Sequence, residues 1–162
     1  TLQGALAADW RGAVPLLKDA RAMLVLGRGL TLPIAGEAAL KLKETSRVHA
    51  EAFSIAEVAH GPMTLIGEGD PVLAFGPMDV AREGMRERLA DFRARGAHVI
   101  AAGLDEDIVD ATLALPGVAA VDPVLAAIAQ VQSFYGLANA LALARGLDPD
   151  QPPHLAKVTR TL

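Results

Sequence analysis

Between Ala38 and Ile66 the sequence AALKLKETSRVHAEAFSIAEVAHGPMTLI sets Lys41, Lys43, Glu44, His49, Glu51, Glu57 and His60 among small and apolar residues, then closes on His60-Gly61-Pro62. Ala35, Ala38, Ala39 and Leu42 follow the spacing of one buried helix face. Glu37, Lys41 and Glu44 fall at i, i+4 and i+7, a second stripe that borders the apolar face instead of opposing it. Charged groups at the edge of a core are partly desolvated, and that is where pKa values move. A carboxylate held beside a cation there can carry a proton between neighbouring carbons, as aldose–ketose interconversion requires. The competing reading of Lys41 and Glu44 is an ordinary i,i+3 ion pair on a solvated face.

The other candidates also have two readings each. His60, in a rigid turn, either ties down a loop or serves as a general acid or base, its unperturbed pKa lying near neutrality. His49 reads as a structural hydrogen-bonding residue on a short strand. His49, Glu51, Glu57 and His60 are ligand-capable types, but their spacing matches no helical His pair or finger pattern, so no metal is expected. Gly27-Arg28-Gly29 is a partial dinucleotide fingerprint without an acidic ribose partner; neither NAD nor any other cofactor is expected. Such a turn before a helix could still receive an anion. Lys157, in His154-Leu155-Ala156-Lys157-Val158-Thr159-Arg160-Thr161, reads by composition as a solvated terminal lysine. A tail carrying it back over a site could supply a Schiff base to a ketose carbonyl.

The elements that must position these groups alternate. Residues 9–20 read as a short Pro-interrupted helix with Trp10, Val14 and Leu17 on its apolar side. Ala22 to Leu26, Pro71 to Phe75 and His98 to Ala102 are continuous apolar runs closed by Gly, the pattern of buried parallel strands. His49 to Phe53 reads as a short strand, and Leu113 to Leu115 and Val118 to Val121 are shorter candidates. A helix capped by Thr31, with Pro33 in its first turn, runs to about Ser46, and Ser54 is placed to cap a helix through Val58. Residues 79–95 read as an amphipathic helix with Val80, Met85, Leu89 and Phe92 inward, stopped by Gly96; a long apolar helix runs from Pro123 to Arg145. This order specifies an α/β fold, a doubly wound parallel sheet flanked by helices. Ligands in such sheets bind outside the carboxyl ends of the strands, and the Ala38–Ile66 segment follows the first of those ends. The expected divisions are a helical lead-in over 1–20, the α/β domain over 21–147 and a tail over 148–162.

At 162 residues with 52% hydrophobic side chains, the chain supports one domain with a real core and excludes disorder. Aromatics are only 4%, so Ala, Leu, Val and Ile must fill the interior. A net charge of −4 argues against nucleic-acid or anionic-membrane partners. The absence of cysteine removes disulfides, thiolate metal sites and a cysteine nucleophile. No apolar run reads as a bilayer span and no signal peptide is evident, so a soluble cytoplasmic protein is expected. The helix at 124–144 carries few charges around its circumference, so it is either central or buried against a partner chain, and self-association is expected. Beginning at Thr1 instead of Met, the chain reads as a fragment or a processed product.

The block GEAALKLKETSRVHAEAFSIAEVAHGPMTLI, with the strand and Gly-Arg-Gly turn at 22–29 and the stretch from Asp148 to Lys157, resembles the sugar isomerase (SIS) family. It is most similar to the second SIS module of glucosamine-6-phosphate synthases and their deaminase relatives. The resemblance implies a flavodoxin-like three-layer sandwich and a phosphosugar substrate. It implies that Glu44 transfers a proton between C1 and C2, and that Lys157 forms an imine with the open-chain ketose, with Ala156 beside it at the substrate. It also implies that His60 assists ring opening in the site of a neighbouring subunit of a homodimer, and that Lys41 helps shuttle protons. For Lys157 the resemblance reverses the bland reading. Ala59 stands where the synthases carry a basic residue, and the Lys157-Val-Thr-Arg-Thr161 ending is nearer the stand-alone deaminases, which favours a deaminase. The family holds the sugar phosphate on a Ser/Thr-rich loop of the first SIS module. Here Ser46, Ser54 and Ser133 are the only serines, so the phosphate site is expected on that missing N-terminal half. The alternatives are the isomerase domain of a synthase and a non-catalytic SIS module that binds a phosphosugar, as in SIS-containing transcription regulators.

Overall fold

The computed structural model describes residues 2–104, 112–117 and 122–153. Five strands, β1 (Ala22–Gly27), β2 (His49–Ser54), β3 (Pro71–Phe75), β4 (His98–Ala102) and β5 (Leu113–Leu115), form one sheet in the order β2-β1-β3-β4-β5. Every pairing is parallel, with Ala22 opposite His49 and Leu24 opposite Val72. The order reverses between β1 and β3, the switch point of a flavodoxin-like sheet.

Both faces of the sheet are covered, which is why the strands read as unbroken apolar runs. On one face Met23, Val25, Ala50, Leu73, Phe75, Ile100 and Ala102 pack against α2 (Val14–Leu17), α3 (Leu32–Ser46) and α5 (Pro123–Ala144). On the other, Leu24, Leu26, Val72, Ala74, Val99 and Ala101 meet α4 (Met85–Ala94) and the segment from Ile55 to Ile66. The lead-in is built into the first face: Trp10 is buried and its Nε1 donates to the Pro116 carbonyl at 3.0 Å, while α1 (Leu2–Ala7) lies along α5, where Ser133 Oγ donates to the Ala5 carbonyl at 2.9 Å.

Helix α3 has the expected buried stripe, Ala35, Ala38, Ala39 and Leu42, with Pro33 in its first turn. It ends without glycine: Arg47 takes the left-handed conformation at φ 53°, and Val48 N–H bonds back to the Leu42 carbonyl at 3.1 Å. Thr31 precedes the helix but makes no side-chain cap; its hydroxyl accepts the Arg28 N–H at 3.0 Å and donates to the Phe75 carbonyl at 2.8 Å. Ser54 ends β2 and no α-helix follows; Oγ accepts the Ala56 N–H at 3.3 Å, and a 3₁₀ turn runs over Val58–His60.

Three further departures have local causes. The helix expected from residue 79 begins at Met85, because Asp79 caps a separate 3₁₀ turn and Gly84 turns the chain at φ 78°. Val80, read as inward, is 90% exposed. Helix α5, capped by Asp122 through the N–H groups of Val124 and Leu125, is long and apolar enough by length and composition to cross a membrane, contrary to expectation. It is instead the core helix of the first face, with Phe134, Leu137 and Leu141 fully buried. The strand expected over Val118–Val121 lies outside the described residues.

Candidate functional site

The chain splits the Ala38–Ile66 segment between the two faces of the sheet. Helix α3 leaves the carboxyl end of β1 and runs back toward the start of β2, so Glu44 lies about 18 Å down the helix from Leu32. It therefore sits near the amino ends of the strands, on the face shared with α5. His60 lies six residues beyond the carboxyl end of β2, in the segment whose Val58 and Met63 belong to the opposite core. The six residues of β2 alone separate its ends by about 17 Å. Within one chain, Glu44 and His60 are not brought together.

Lys41 and Glu44 are brought together closely. Lys41 Nζ donates to Glu44 Oε2 at 2.6 Å, and Glu37 Oε1 stands 4.0 Å from the same nitrogen. The pair is neither buried nor free, with side-chain exposures of 32% for Lys41 and 24% for Glu44. The hydrogen bond that Lys41 donates to Glu44 raises the Lys41 pKa above its ordinary value, burial opposing it and the charges of Glu44, Glu37 and Tyr135 adding to it. Glu37 is held from across the helix interface, its Oε1 accepting the Tyr135 hydroxyl at 3.0 Å. Sequence reasoning missed Tyr135: it lies 98 positions from Glu37, and only the packing of α5 on α3 brings the two together.

His60 is exposed on a firmly built turn. Gly61 adopts φ 156° and ψ −59°, a conformation that glycine supplies at little cost. Thr64 donates to the Gly61 carbonyl through N–H at 2.9 Å and Oγ1 at 2.8 Å. His49 lies 3.5 Å from Glu51 on the edge strand, both side chains largely exposed, so it is a surface pair. Ala156 and Lys157 lie outside the described residues.

The crevice between β1 and β3, where the fold would ordinarily receive a ligand, is bridged by the protein's own groups. A Cβ on Gly27 would collide with the Thr31 carbonyl, so the turn closes tightly on the strand. Arg28 Nη1 donates to the Glu83 carbonyl at 2.8 Å, and Ala81 packs over Gly29. Gln130 Nε2 donates to the Gly76 carbonyl at 2.8 Å. The Gly27-Arg28-Gly29 turn, which the sequence allowed as an anion seat, is thus tied to the loop after β3.

Residues 16–136 match the SIS domain. The chain belongs to the SIS domain family. It is 40% identical over 141 residues to a glutamine–fructose-6-phosphate aminotransferase (isomerizing) of Thermococcus kodakarensis, covering 87% of this chain and 23% of that protein. Among solved structures, the C-terminal domain of glucosamine–fructose-6-phosphate aminotransferase from Francisella tularensis superposes with a TM-score of 0.82 at 30% identity, covering 91% of this chain and 43% of that one. Tagatose-6-phosphate ketose/aldose isomerase from Escherichia coli gives 0.77 at 25% identity, over 98% of this chain and 46% of that one. This SIS module therefore spans about a quarter of the curated relatives it matches and under half of these two solved chains.

Proposed function

We propose that this chain is the catalytic half of a phosphosugar isomerase site, acting between fructose 6-phosphate and glucosamine 6-phosphate. The observation that carries the reading is the 2.6 Å Lys41–Glu44 pair, partly exposed on α3. Glu44 takes the proton from one carbon of the open-chain sugar and returns it to the neighbouring carbon, while the Lys41 ammonium orients the carboxylate. The Lys157 amine condenses with the ketose carbonyl, releasing water; exchange of that imine with ammonia frees the lysine and leaves the nitrogen on the sugar, the reverse direction releasing ammonia, and Ala156 is assigned beside the sugar. Resemblance to aminotransferases and to a ketose/aldose isomerase supports this chemistry.

The site is completed by other chains or modules. His60 lies on the opposite face from Glu44, which favours its acting in the site of a second subunit. The hydroxyls of Ser46 and Ser133 are buried in this domain, which favours a phosphate seat on a first SIS module. Exposed Leu32, Leu40 and Ile128 flank the Glu37–Lys41–Glu44 stripe on α3 and α5, an apolar border suited to such a partner.

The test uses the polypeptide that carries this module. Exchange of the C1 or C2 proton of the sugar with deuterated water should depend on Glu44. Mixing Glu44→Gln with His60→Ala subunits should restore about a quarter of wild-type activity, because each mixed dimer holds one intact site. No restoration would remove the shared-site reading. Ammonia release from glucosamine 6-phosphate without glutamine identifies a deaminase; glutamine-dependent synthesis identifies the isomerase domain of an aminotransferase.

A further inference from the structure

Two carboxylates compete for one ammonium on α3, and the outcome is opposite to what the helix alone would select. Glu37 precedes Lys41 by four residues, the orientation in which a Glu–Lys pair is most favourable on an isolated helix. Glu44 follows Lys41 by three, the reverse polarity, which also sets an acid near the helix carboxyl end. Yet Lys41 Nζ lies 2.6 Å from Glu44 Oε2 and 4.0 Å from Glu37 Oε1. What distinguishes the two carboxylates is a third group: Glu37 Oε1, the oxygen that faces Lys41, already accepts the Tyr135 hydroxyl at 3.0 Å.

We propose that Tyr135 is a positioning residue: by occupying Glu37 Oε1 from helix α5, its hydroxyl turns the Lys41 ammonium toward Glu44. The ring, 40% exposed, lies beside the fully buried Phe134, their centroids 6.3 Å apart. Among the described residues, the groups electrostatically coupled to Lys41 are Glu37 and Glu44 on its own helix and Tyr135 on α5. Partial burial and the bond to Glu37 hold the phenol above its ordinary pKa of 10.0, so near neutrality it remains the donor this arrangement needs. Without the hydroxyl, the freed Glu37 oxygen recovers its helical advantage and draws Lys41 away from Glu44.

This inference rests on the proposed isomerase reading for its kinetic consequence, but its geometric core can be tested without any turnover. Tyr135→Phe keeps the ring and its packing and removes only a donor at a partly exposed position. The ¹⁵N resonance of the Lys41 ammonium, assigned by its loss in Lys41→Arg, should move in Tyr135→Phe. In the Glu37→Gln background the same change should move it little, since no charged competitor remains. In turnover, Tyr135→Phe should lower kcat on the order of tenfold with KM for the phosphosugar nearly unchanged, again without further effect in the Glu37→Gln background. An unmoved Lys41 resonance in Tyr135→Phe, or an effect that persists in full with Gln at position 37, overturns the proposal. If wild-type protein catalyses no proton exchange, the isomerase reading fails by itself, while the resonance still decides the role of Tyr135.

Discussion

The crevice at the carboxyl ends of β1 and β3 and the flank formed by α3 and α5 are built on opposite plans. In the crevice, polar side chains are consumed by backbone: Thr31 by Phe75 and Arg28, Arg28 by Glu83, Gln130 by Gly76. On the flank, Glu37, Lys41, Glu44 and Tyr135 bond one another at the surface of two well-packed helices. The first arrangement uses these groups to hold loops to strands, with Gln130 Oε1 left buried and without a hydrogen-bond partner among the described residues. The second leaves a carboxylate with free lone pairs beside a cation, bordered by exposed apolar side chains. A doubly wound sheet directs attention to its carboxyl edge. Here the described groups of that crevice tie loops to strands, and the Lys41–Glu44 pair lies on the partly exposed flank of α3.

The largest effect expected from this division is on chemistry. Glu44→Gln keeps the size of the side chain and a hydrogen-bond acceptor for Lys41 but removes the base. It should lower sugar proton exchange by about a hundred- to ten-thousandfold, with an unchanged circular dichroism spectrum. Proton exchange by the variant at the wild-type rate would remove Glu44 from the mechanism and break the comparison at its centre.

A smaller effect, on stability instead of rate, is expected from Thr31→Val. Valine is close in shape, but the buried Phe75 carbonyl and the Arg28 N–H lose their partner. Urea denaturation should show a loss of about 1–3 kcal/mol. A neutral result would mean that the crevice is wet, not sealed.

These two positions also show what the chain discloses before it folds. The apolar runs at Ala22, Pro71 and His98, each closed by glycine, state the buried strands outright, and the spacing of Ala35, Ala38, Ala39 and Leu42 states the inner face of α3. Lys41 and Glu44 are legible as a pair because three residues on one helix must be neighbours. Thr31 was legible as a helix start but not as the clasp on β3, since Phe75 lies 44 positions away. Val80 has the periodicity of a helix face, yet Gly84 breaks the helix before it can be presented inward. Tyr135 was hidden for the reason Thr31 was: its partner is fixed by helix packing. That Glu44 and His60 lie on opposite faces follows from the strand order, which local periodicity does not encode.

Alkaline pH offers a weaker probe confined to the flank. Tyr135 and Lys41 both titrate above their ordinary values, so the folded state binds these protons more tightly than the unfolded chain. Their contribution is fully present below the unfolded values of 10.0 and 10.5 and is lost as pH rises through the higher folded ones. The urea midpoint should therefore fall as pH rises above about 10, and less steeply in Tyr135→Phe. Tyr135 is the chain's single tyrosine, so phenolate absorbance follows the same event directly. Identical slopes in the two proteins would show that the hydroxyl is not coupled to the fold.

The smallest expected effect bears on the crevice from the other side. Arg28 Nη1 reaches the Glu83 carbonyl at 2.8 Å, but the bond is exposed, and water can replace it at either end. Arg28→Ala should therefore cost no more than about 1 kcal/mol in urea denaturation and leave kcat and KM for the phosphosugar within about twofold. The informative failure is kinetic. Arginine is the side chain best suited to grip a phosphate, and this one stands at the start of α3, where backbone N–H groups converge. If the alanine variant keeps its stability but raises KM tenfold or more, the tie to Glu83 is a latch that opens onto a phosphate seat. The carboxyl edge would then be a binding surface after all, and the division between a cohesive crevice and a reactive flank would fall.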